Sequence, residues 1–399
     1  MKKKAHTIVV GAGQSGLSVS YLLTKKGIDH LILEKGKVAD DIRNRRWDSF
    51  RLITPNHMTC LPGFSYSGKN PNGFDSRDEV VGFLEEYAKS FKAPIVENTN
   101  VTSVVHDGNG FEITTDSGSY EAKNVVVAVG SFHKALLPSL SKELPKNITQ
   151  LHSSEYKNAN KLPKGSVLIV GGGNSGIQIA TDLNKAGRKV YLSVGRLRIV
   201  PRKYRGKDFM EWAGLMGALD RTTDEATPEI KATLAPLLFG YDEDVDFRKL
   251  AKNGINLTGR LKSHKNGLLT FSSDLSENIK KGETALRGFK DAADKLADQE
   301  NMKSPRENQE VMSSEMEKME ELDLIEKQIT SIIWATGFED DWSFLKIPVL
   351  DKNGQPEHIK GVSKVPRLYF IGLRWLSKYK SFLLCGVGED AAYITSKIS

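Results

Sequence analysis

The chain has 399 residues, 57 of them Lys or Arg against 50 Asp or Glu, and a formal net charge of +7. That length suits two or three domains, and lysines scattered along the whole chain exclude the dense basic tract of a nucleic-acid arm. No run approaches the roughly 20 apolar residues of a membrane span, and Cys60 and Cys385, far apart in sequence and outside any C-x-x-C, speak against a dithiol centre, a zinc site or a disulfide framework.

Met1-Lys2-Lys3-Lys4 precede an apolar run that His6 interrupts and that flows straight into a glycine turn, too short for a secretory signal, so the cytoplasm is expected. The strand Ile8-Val9-Val10 then enters Gly11-Ala12-Gly13-Gln14-Ser15-Gly16 and an amphipathic helical pattern. This G-x-G-x-x-G order predicts a dinucleotide-binding βαβ unit. Gly11 lets the chain turn tightly out of the strand, Gly13 lets the backbone approach a pyrophosphate, and Gly16 lets helix pack closely on strand. The pyrophosphate then faces the unpaired N–H groups at the helix start, around Gln14 and Ser15.

The second strand, Leu31-Ile32-Leu33, ends in Glu34 with Lys35 beside it, 23 residues after Gly11. A carboxylate there can accept both ribose hydroxyls of an adenosine, which favours FAD or NAD over a 2′-phosphorylated cofactor. Arg43-Asn44-Arg45-Arg46-Trp47-Asp48 follows. It reads either as flavin chemistry, Arg46 for pyrophosphate or anionic flavin and Trp47 for stacking, or as a basic loop with one anchoring tryptophan. Ser76 and Glu79 form a capping box ahead of Val80, Leu84, Tyr87 and Phe91 at helical spacing. Strands over 101–105, 111–115 and 120–129, separated by Asp107-Gly108-Asn109-Gly110 and Asp116-Ser117-Gly118, predict an antiparallel meander.

Lys161-Leu162-Pro163-Lys164-Gly165 reads as a boundary, after which Val167-Leu168-Ile169-Val170 opens a second fingerprint, Gly171-Gly172-Gly173-Asn174-Ser175-Gly176. Its second strand, Val190-Tyr191-Leu192-Ser193, leads to Arg196, Arg198 and Arg202 with no acid at the ribose position. Arginine there suits the 2′-phosphate of NADPH through charge-assisted hydrogen bonds. From 276 to 328 the chain is charge-rich and mostly helical in pattern, with Leu286, Phe289, Ala293 and Leu296 on one stripe, and is expected to pack on its own domain. Strands over 329–335 and 368–371, the first ending in Ala335-Thr336-Gly337-Phe338, suggest a return to the first domain. The expected class is therefore α/β, with two Rossmann-like dinucleotide-binding domains, the second (161–325) inserted into the first (1–160 and 326–399).

Taken together, Gly11-x-Gly13-x-x-Gly16, Arg46-Trp47-Asp48-Ser49, Gly171-x-Gly173-x-Ser175-Gly176 and Ala335-Thr336-Gly337-Phe338 resemble the flavin-containing monooxygenase-like flavoproteins, relatives of class B flavoprotein monooxygenases. Pro201-Arg202-Lys203-Tyr204-Arg205-Gly206-Lys207-Asp208, Leu368-Tyr369-Phe370-Ile371-Gly372-Leu373 and Gly386-Val387-Gly388-Glu389-Asp390-Ala391 extend the resemblance over nearly the whole chain. It implies FAD in the first domain and NADPH in the second, with Thr336, Gly337 and Gly372 among the cofactor contacts. It further implies a flavin C4a-hydroperoxide that passes one oxygen atom of O2 to a small sulfur or nitrogen nucleophile or a ketone. Residues 207–219 and 375–384 would line the substrate pocket; a homodimer is left open.

Two positions depart from the family. Of its linker signature, His152, Tyr156 and Lys157 are present, but Lys146 and Ile148 replace phenylalanine and glycine. Apolar Ile53 stands where an active-site asparagine is expected, which leaves Asn56 as the candidate catalytic residue. Without such an amide, an NAD(P)H oxidase or reductase is the alternative, and a redox-sensing regulatory flavoprotein a further one.

Overall fold

The computed structural model describes residues 3–227, 237–241, 243–306, 316 and 318–399. In chain order its main elements are β1 (Lys3–Val10), α1 (Gln14–Lys25), β2 (His30–Leu33), α2 (Arg77–Ser90), β3 (Ile95–Val96), β4 (Val101–His106), β5 (Phe111–Thr115) and β6 (Gly118–Val127). There follow β7 (Thr149–His152), β8 (Ser166–Val170), α3 (Asn174–Lys185), β9 (Val190–Ser193), α4 (Phe209–Leu215), β10 (Ile255–Thr258), β11 (Leu261–Lys265), β12 (Leu268–Phe271) and α5 (Leu275–Gln299). The chain ends with β13 (Glu321–Asp323), β14 (Ile329–Trp334), β15 (Leu368–Phe370) and α6 (Val387–Lys397). The fold is mixed α/β.

Among the described residues one sheet runs β15-β6-β1-β2-β3, all parallel, with β4 and β5 continuing antiparallel from β6 as the turn residues predicted. Its central strands are continuous apolar runs because both faces are covered. Ile8, Val9, Val125, Val126, Leu368 and Phe370 are wholly buried, and Leu17, Val19 and Leu23 of α1 share their core with Val387, Ala391 and Ile394 of α6. The second sheet is parallel throughout, in the order β7-β14-β8-β9-β10.

In the first sheet the chain winds outward from β1 through β2 to β3 and returns on the other side with β6; in the second it winds outward from β8 through β9 to β10 and returns on the other side with β14. The crevice therefore falls at the carboxyl ends of the inner strands. Register places those ends level. Val10 pairs with Leu33 and Val127, and Val127 with Phe370, so Gly11, Glu34, Ala128 and Ile371 emerge at one edge. Val170 pairs with Ser193 and Trp334, so Gly171, Val194 and Ala335 emerge at the other.

The boundaries expected at 160/161 and 325/326 need correction. β7 lies before the first and β14 after the second, yet the two pair with each other through Thr149↔Ser331 to His152↔Trp334, and β14 pairs with β8. The second sheet thus draws strands from 149 to 334, because a buried parallel strand must be paired on both sides. The capping box forms as expected, Ser76 N–H donating to Glu79 at 2.7 Å. Of the charge-rich stretch 276–328, α5 is helical and its Phe289 packs on Phe209, centroids 5.0 Å apart, on the chain's own body. Residues 321–323 form a strand rather than a helix, and 307–315 and 317 lie outside the described residues. Among the described residues no helix is long and apolar enough to cross a membrane.

Candidate functional site

Both glycine turns form cradles of the same shape. Gly11 has φ +107°, and a Cβ there would sit 2.7 Å from Ala128 O; at Gly16 it would sit 1.9 Å from Gly11 O. These two glycines are demanded by backbone crossing backbone. Gly13 is different: a Cβ there meets nothing within 4 Å, and α1 starts on Gly13 with no side-chain cap on its first N–H groups, so the helix start has room beside it. Gly171 (φ +119°, 2.3 Å from Ala335 O), Gly176 (1.8 Å from Gly171 O) and the open, uncapped Gly173 repeat the arrangement. Free N–H groups at the positive end of a helix, with room in front of them, fit a pyrophosphate.

Around the first cradle, Glu34 is buried at 6 % exposure and accepts from Ala12 N at 2.7 Å and Gly36 N at 3.0 Å. Burial raises its pKa, against those two backbone donors. Gln14 Nε2 donates to Phe382 O at 2.8 Å, and Gly372 (φ +80°) lies over Ser15, whose Oγ a Cβ would meet at 2.4 Å. Three distant stretches of sequence thus converge on one helix start. Lys35 is exposed. Arg46 is nearly buried between the Phe50 and Phe132 rings, 5.7 and 5.0 Å from its guanidinium, with Asp41 at 3.7 Å, and burial lowers its pKa.

Trp47 is not a stacking surface. At 2 % exposure it is packed with Tyr156, Leu162 and Ile177 in the core beneath the second sheet, edge-on to Phe50, so the loop is anchored across the two sheets by its indole. The half-kept linker signature has the same role. His152 Nε2 pairs with Gly337 O at 2.9 Å and Nδ1 with Ser154 Oγ at 2.8 Å, Tyr156 Oη donates to Asp182 at 2.6 Å, and Lys157 Nζ donates to Arg46 O at 3.2 Å. Thr336 Oγ1 donates to Leu136 O at 2.5 Å, and Gly337 O also accepts from Leu136 N at 3.0 Å; both residues brace the strand crossing.

At the second cradle Ser175 lies in the first turn of α3, and the Asn174 amide donates to Leu237 O at 2.7 Å and accepts from Phe239 N at 3.3 Å. Arg196 is exposed beyond β9, and Arg198 half-buried near Tyr379. Arg202 must be withdrawn as a phosphate ligand. It is 0 % exposed, its guanidinium held by both Asp208 oxygens at 2.5 Å and donating to Ile53 O at 2.9 Å. A residue that sequence reasoning missed is Arg260. Its Cγ lies 3.4 Å from where a Gly195 Cβ would be, and its Nε pairs with Asp274 at 2.6 Å. Only the pairing of β9 with β10 brings it beside Gly195; no local motif marks it.

Asn56 is likewise corrected. Buried at 3 % exposure, its Nδ2 donates to Asn70 O at 3.0 Å and its Oδ1 accepts from Asp75 N at 2.7 Å, so the amide braces the 70–75 loop. Ile53 instead joins Met58, Phe209, Leu219, Phe239, Tyr379 and Leu383 in one apolar cluster, which unites the two stretches expected to line a pocket.

The comparisons follow this geometry. Residues 8–207 match the model of the pyridine nucleotide-disulphide oxidoreductase family. The oxidoreductase CzcO-like of Geobacillus kaustophilus is 33 % identical over 401 residues, covering 100 % of this chain and 99 % of its own. The chain belongs to this oxidoreductase family. The protein is an enzyme, an oxidoreductase, and the likenesses to flavin monooxygenases are of the kind the sequence resemblance implied. A probable indole-3-pyruvate monooxygenase of Arabidopsis thaliana, YUCCA1, is 32 % identical over 205 residues, 50 % of this chain and 49 % of its own. The flavin-containing monooxygenase of Stenotrophomonas maltophilia shares the fold with a TM-score of 0.68 at 18 % identity, over 99 % of this chain and 98 % of that one.

The proximity of the two cysteines escaped the cysteine spacing. The fold brings Cys60 and Cys385 near each other: a charge on Cys60 adds to burial in pushing the Cys385 thiol up to about 11, with Lys380 opposing. Both are free thiols, and Cys60 too is raised by burial. Raised values make poor nucleophiles, which favours packed thiols over a reactive pair.

Proposed function

We propose that the protein is an FAD-dependent, NADPH-consuming monooxygenase that places one oxygen atom of O2 on a small sulfur or nitrogen nucleophile or a ketone. The observation that carries this reading is the pair of open, uncapped cradles at Gly13 and Gly173 in one chain. In this reading the two sheets are two Rossmann-like units, one inserted in the other. The first holds FAD by the N–H groups of residues 14–16, Glu34 at the ribose and Arg46 at the pyrophosphate. The second holds NADPH at 174–176, with Arg196 and Arg260 at the 2′-phosphate. Bound FAD supplies the two-electron carrier between nicotinamide and O2, which no amino-acid side chain can provide. The protein's own work is orientation and the exclusion of water, and the cluster around Ile53, Phe209 and Phe239 is an apolar wall suited to it. The monooxygenase-named relatives support this reading of the chemistry.

A second reading is an NAD(P)H oxidase without an oxygenated product. It is favoured by one observation: the Asn56 amide is spent on the 70–75 loop and Ile53 is apolar. The regulatory alternative loses its contact surface in part, since the apolar stripe of α5 is packed inward through Phe289 and Ala293. Anaerobic reduction with NADPH followed by rapid mixing with oxygenated buffer separates the first two. A long-lived oxygenated flavin spectrum and oxygenated sulfide, amine or ketone support the monooxygenase. Immediate return to oxidised flavin with one peroxide per NADPH transfers the assignment to the oxidase, and a protein that retains no flavin defeats both.

A further inference from the structure

The segment 237–241 joins the two halves of the site through side chains that the cofactor reading leaves without a role. At one end, Asn174, the residue after the open Gly173, grips Leu237 O at 2.7 Å and Phe239 N at 3.3 Å. At the other end Tyr241 Oη accepts from Arg51 N at 3.2 Å and donates to Arg51 O at 3.1 Å. Arg202 ties the same segment to the same loop, one terminal nitrogen reaching Gly240 O at 3.3 Å and Ile53 O at 2.9 Å. The other terminal nitrogen is fixed by Asp208, which also caps α4 through Met210 N at 2.8 Å. The Phe74 and Phe239 rings sandwich the guanidinium, each 4.9 Å from it.

A charge this buried is tolerated only while its partners hold it, so its position admits little freedom. The main chain at 51–53 is thereby held from the second half of the molecule by two side chains, Tyr241 and Arg202. The segment that carries one of them and accepts from the other hangs on the second glycine turn. An anion received by the first turn of α3 fixes that turn, and with it the Asn174 amide. We propose that Arg202 and Tyr241 are positioning residues that set the 51–53 loop, beside the apolar cluster of Ile53, according to whether a nucleotide occupies the second cradle. This rests on the nucleotide reading of residues 171–176. Arg202, wholly enclosed, acts through Ile53 and the loop rather than on substrate.

The test uses the purified, flavin-loaded protein and NADP as probe. Affinity is measured by calorimetry, and backbone hydrogen exchange is followed in peptides spanning 50–56. In the unaltered protein NADP is expected to slow exchange there by about tenfold. In Tyr241→Phe, which deletes one hydroxyl and leaves the ring in place, the slowing falls below about threefold while NADP affinity changes by less than about threefold. Arg202→Lys keeps the charge but cannot span Asp208 and Ile53 O together. Its kcat should fall and its peroxide yield per NADPH rise with KM for NADPH unchanged, and if it fails to fold, Tyr241→Phe still decides. Equal slowing in Tyr241→Phe and the unaltered protein, or none in the unaltered protein with NADP bound, overturns the proposal alone. No NADP binding at all overturns the nucleotide reading and the proposal with it.

Discussion

The two kinds of glycine in each turn separate a cofactor cradle from a packing constraint, and alanine at Gly13 and at Gly16 tests the separation. At Gly13 the backbone is extended (φ −83°, ψ −173°) and a methyl meets no protein atom within 4 Å, so the fold loses only the difference between glycine and alanine as an N-cap. That is about 1 kcal/mol, a melting shift of no more than about 4 °C. The same methyl projects into the space where a pyrophosphate would meet the helix start. Displacing even one charge-assisted hydrogen bond costs about 1.5–3 kcal/mol, or a loss of flavin affinity of about ten- to 150-fold. At Gly16 the signs reverse. A methyl would stand 1.9 Å from Gly11 O, a backbone atom that cannot swing aside. The usual gain of about 1 kcal/mol for alanine over glycine inside a helix is then outweighed by overpacking of about 1–3 kcal/mol or more. The assay is flavin content by absorbance together with thermal unfolding of the flavin-free protein. Gly13→Ala should unfold normally yet elute colourless, Gly16→Ala should be unstable with or without flavin, and Gly173→Ala should stay yellow but lose NADP binding. A Gly13→Ala protein that retains flavin as tightly as the unaltered one would show that no pyrophosphate is received at Gly13.

Arg260→Ala is expected to reduce the preference for NADPH over NADH by about tenfold or more, since in the proposed reading it removes one charge-assisted contact to a 2′-phosphate lying beside Gly195; an unchanged ratio of kcat/KM values dismisses Arg260 from the phosphate. Alkylation of Cys385 by iodoacetamide should be slow at neutral pH and still rising up to pH about 11. The raised thiol value also means that its contribution to stability, present below the ordinary value near 9.0, is lost as pH climbs through the folded value. A plateau in alkylation rate by pH 9 contradicts the burial. Asp220 and Glu389 each pair with both Lys378 and Lys380 at 2.5–2.9 Å, where Leu219, Arg221 and Thr223 join residues 377–380 through the backbone. Because Asp220 is 58 % exposed, Asp220→Asn should cost no more than about 1 kcal/mol, and a melting difference that survives 1 M salt (Debye length about 3 Å) would show that the contacts are not electrostatic.

What the sequence discloses here and what it hides divide along one physical line. Gly16 and Gly176 are legible because each answers a constraint within a single βαβ unit, meeting the backbone of Gly11 and Gly171 five residues away, and Gly11 and Gly171 are legible as the turns out of their strands, although the backbone they cross, at Ala128 and Ala335, is distant in sequence. Glu34 is legible for the same reason, lying one strand over from its turn. The meander, the capping box and the apolar strands also follow from local spacing. Arg202 failed because spacing does not aim a side chain. Arg202 sits within seven residues of Arg196 yet turns inward to Asp208, while Arg260, 64 residues beyond Arg196, comes beside Gly195 only when β9 and β10 pair. Asn56 failed, and Trp47 took the anchoring one of its two readings, for a related reason: both carry groups suited to a flavin, but the loop around them has no regular backbone ladder. Its buried polar and aromatic groups are therefore used to hold the loop itself, Asn56 through Asn70 and Asp75 and Trp47 through the second core. A site assembled from two strand edges and an irregular loop is thus half readable. In the proposed reading the nucleotide turns are the part that sequence can assign, whereas the apolar cluster is chosen by packing between distant stretches, and the search for specificity should begin at Ile53, Phe209, Phe239 and Tyr379 rather than at the motif residues.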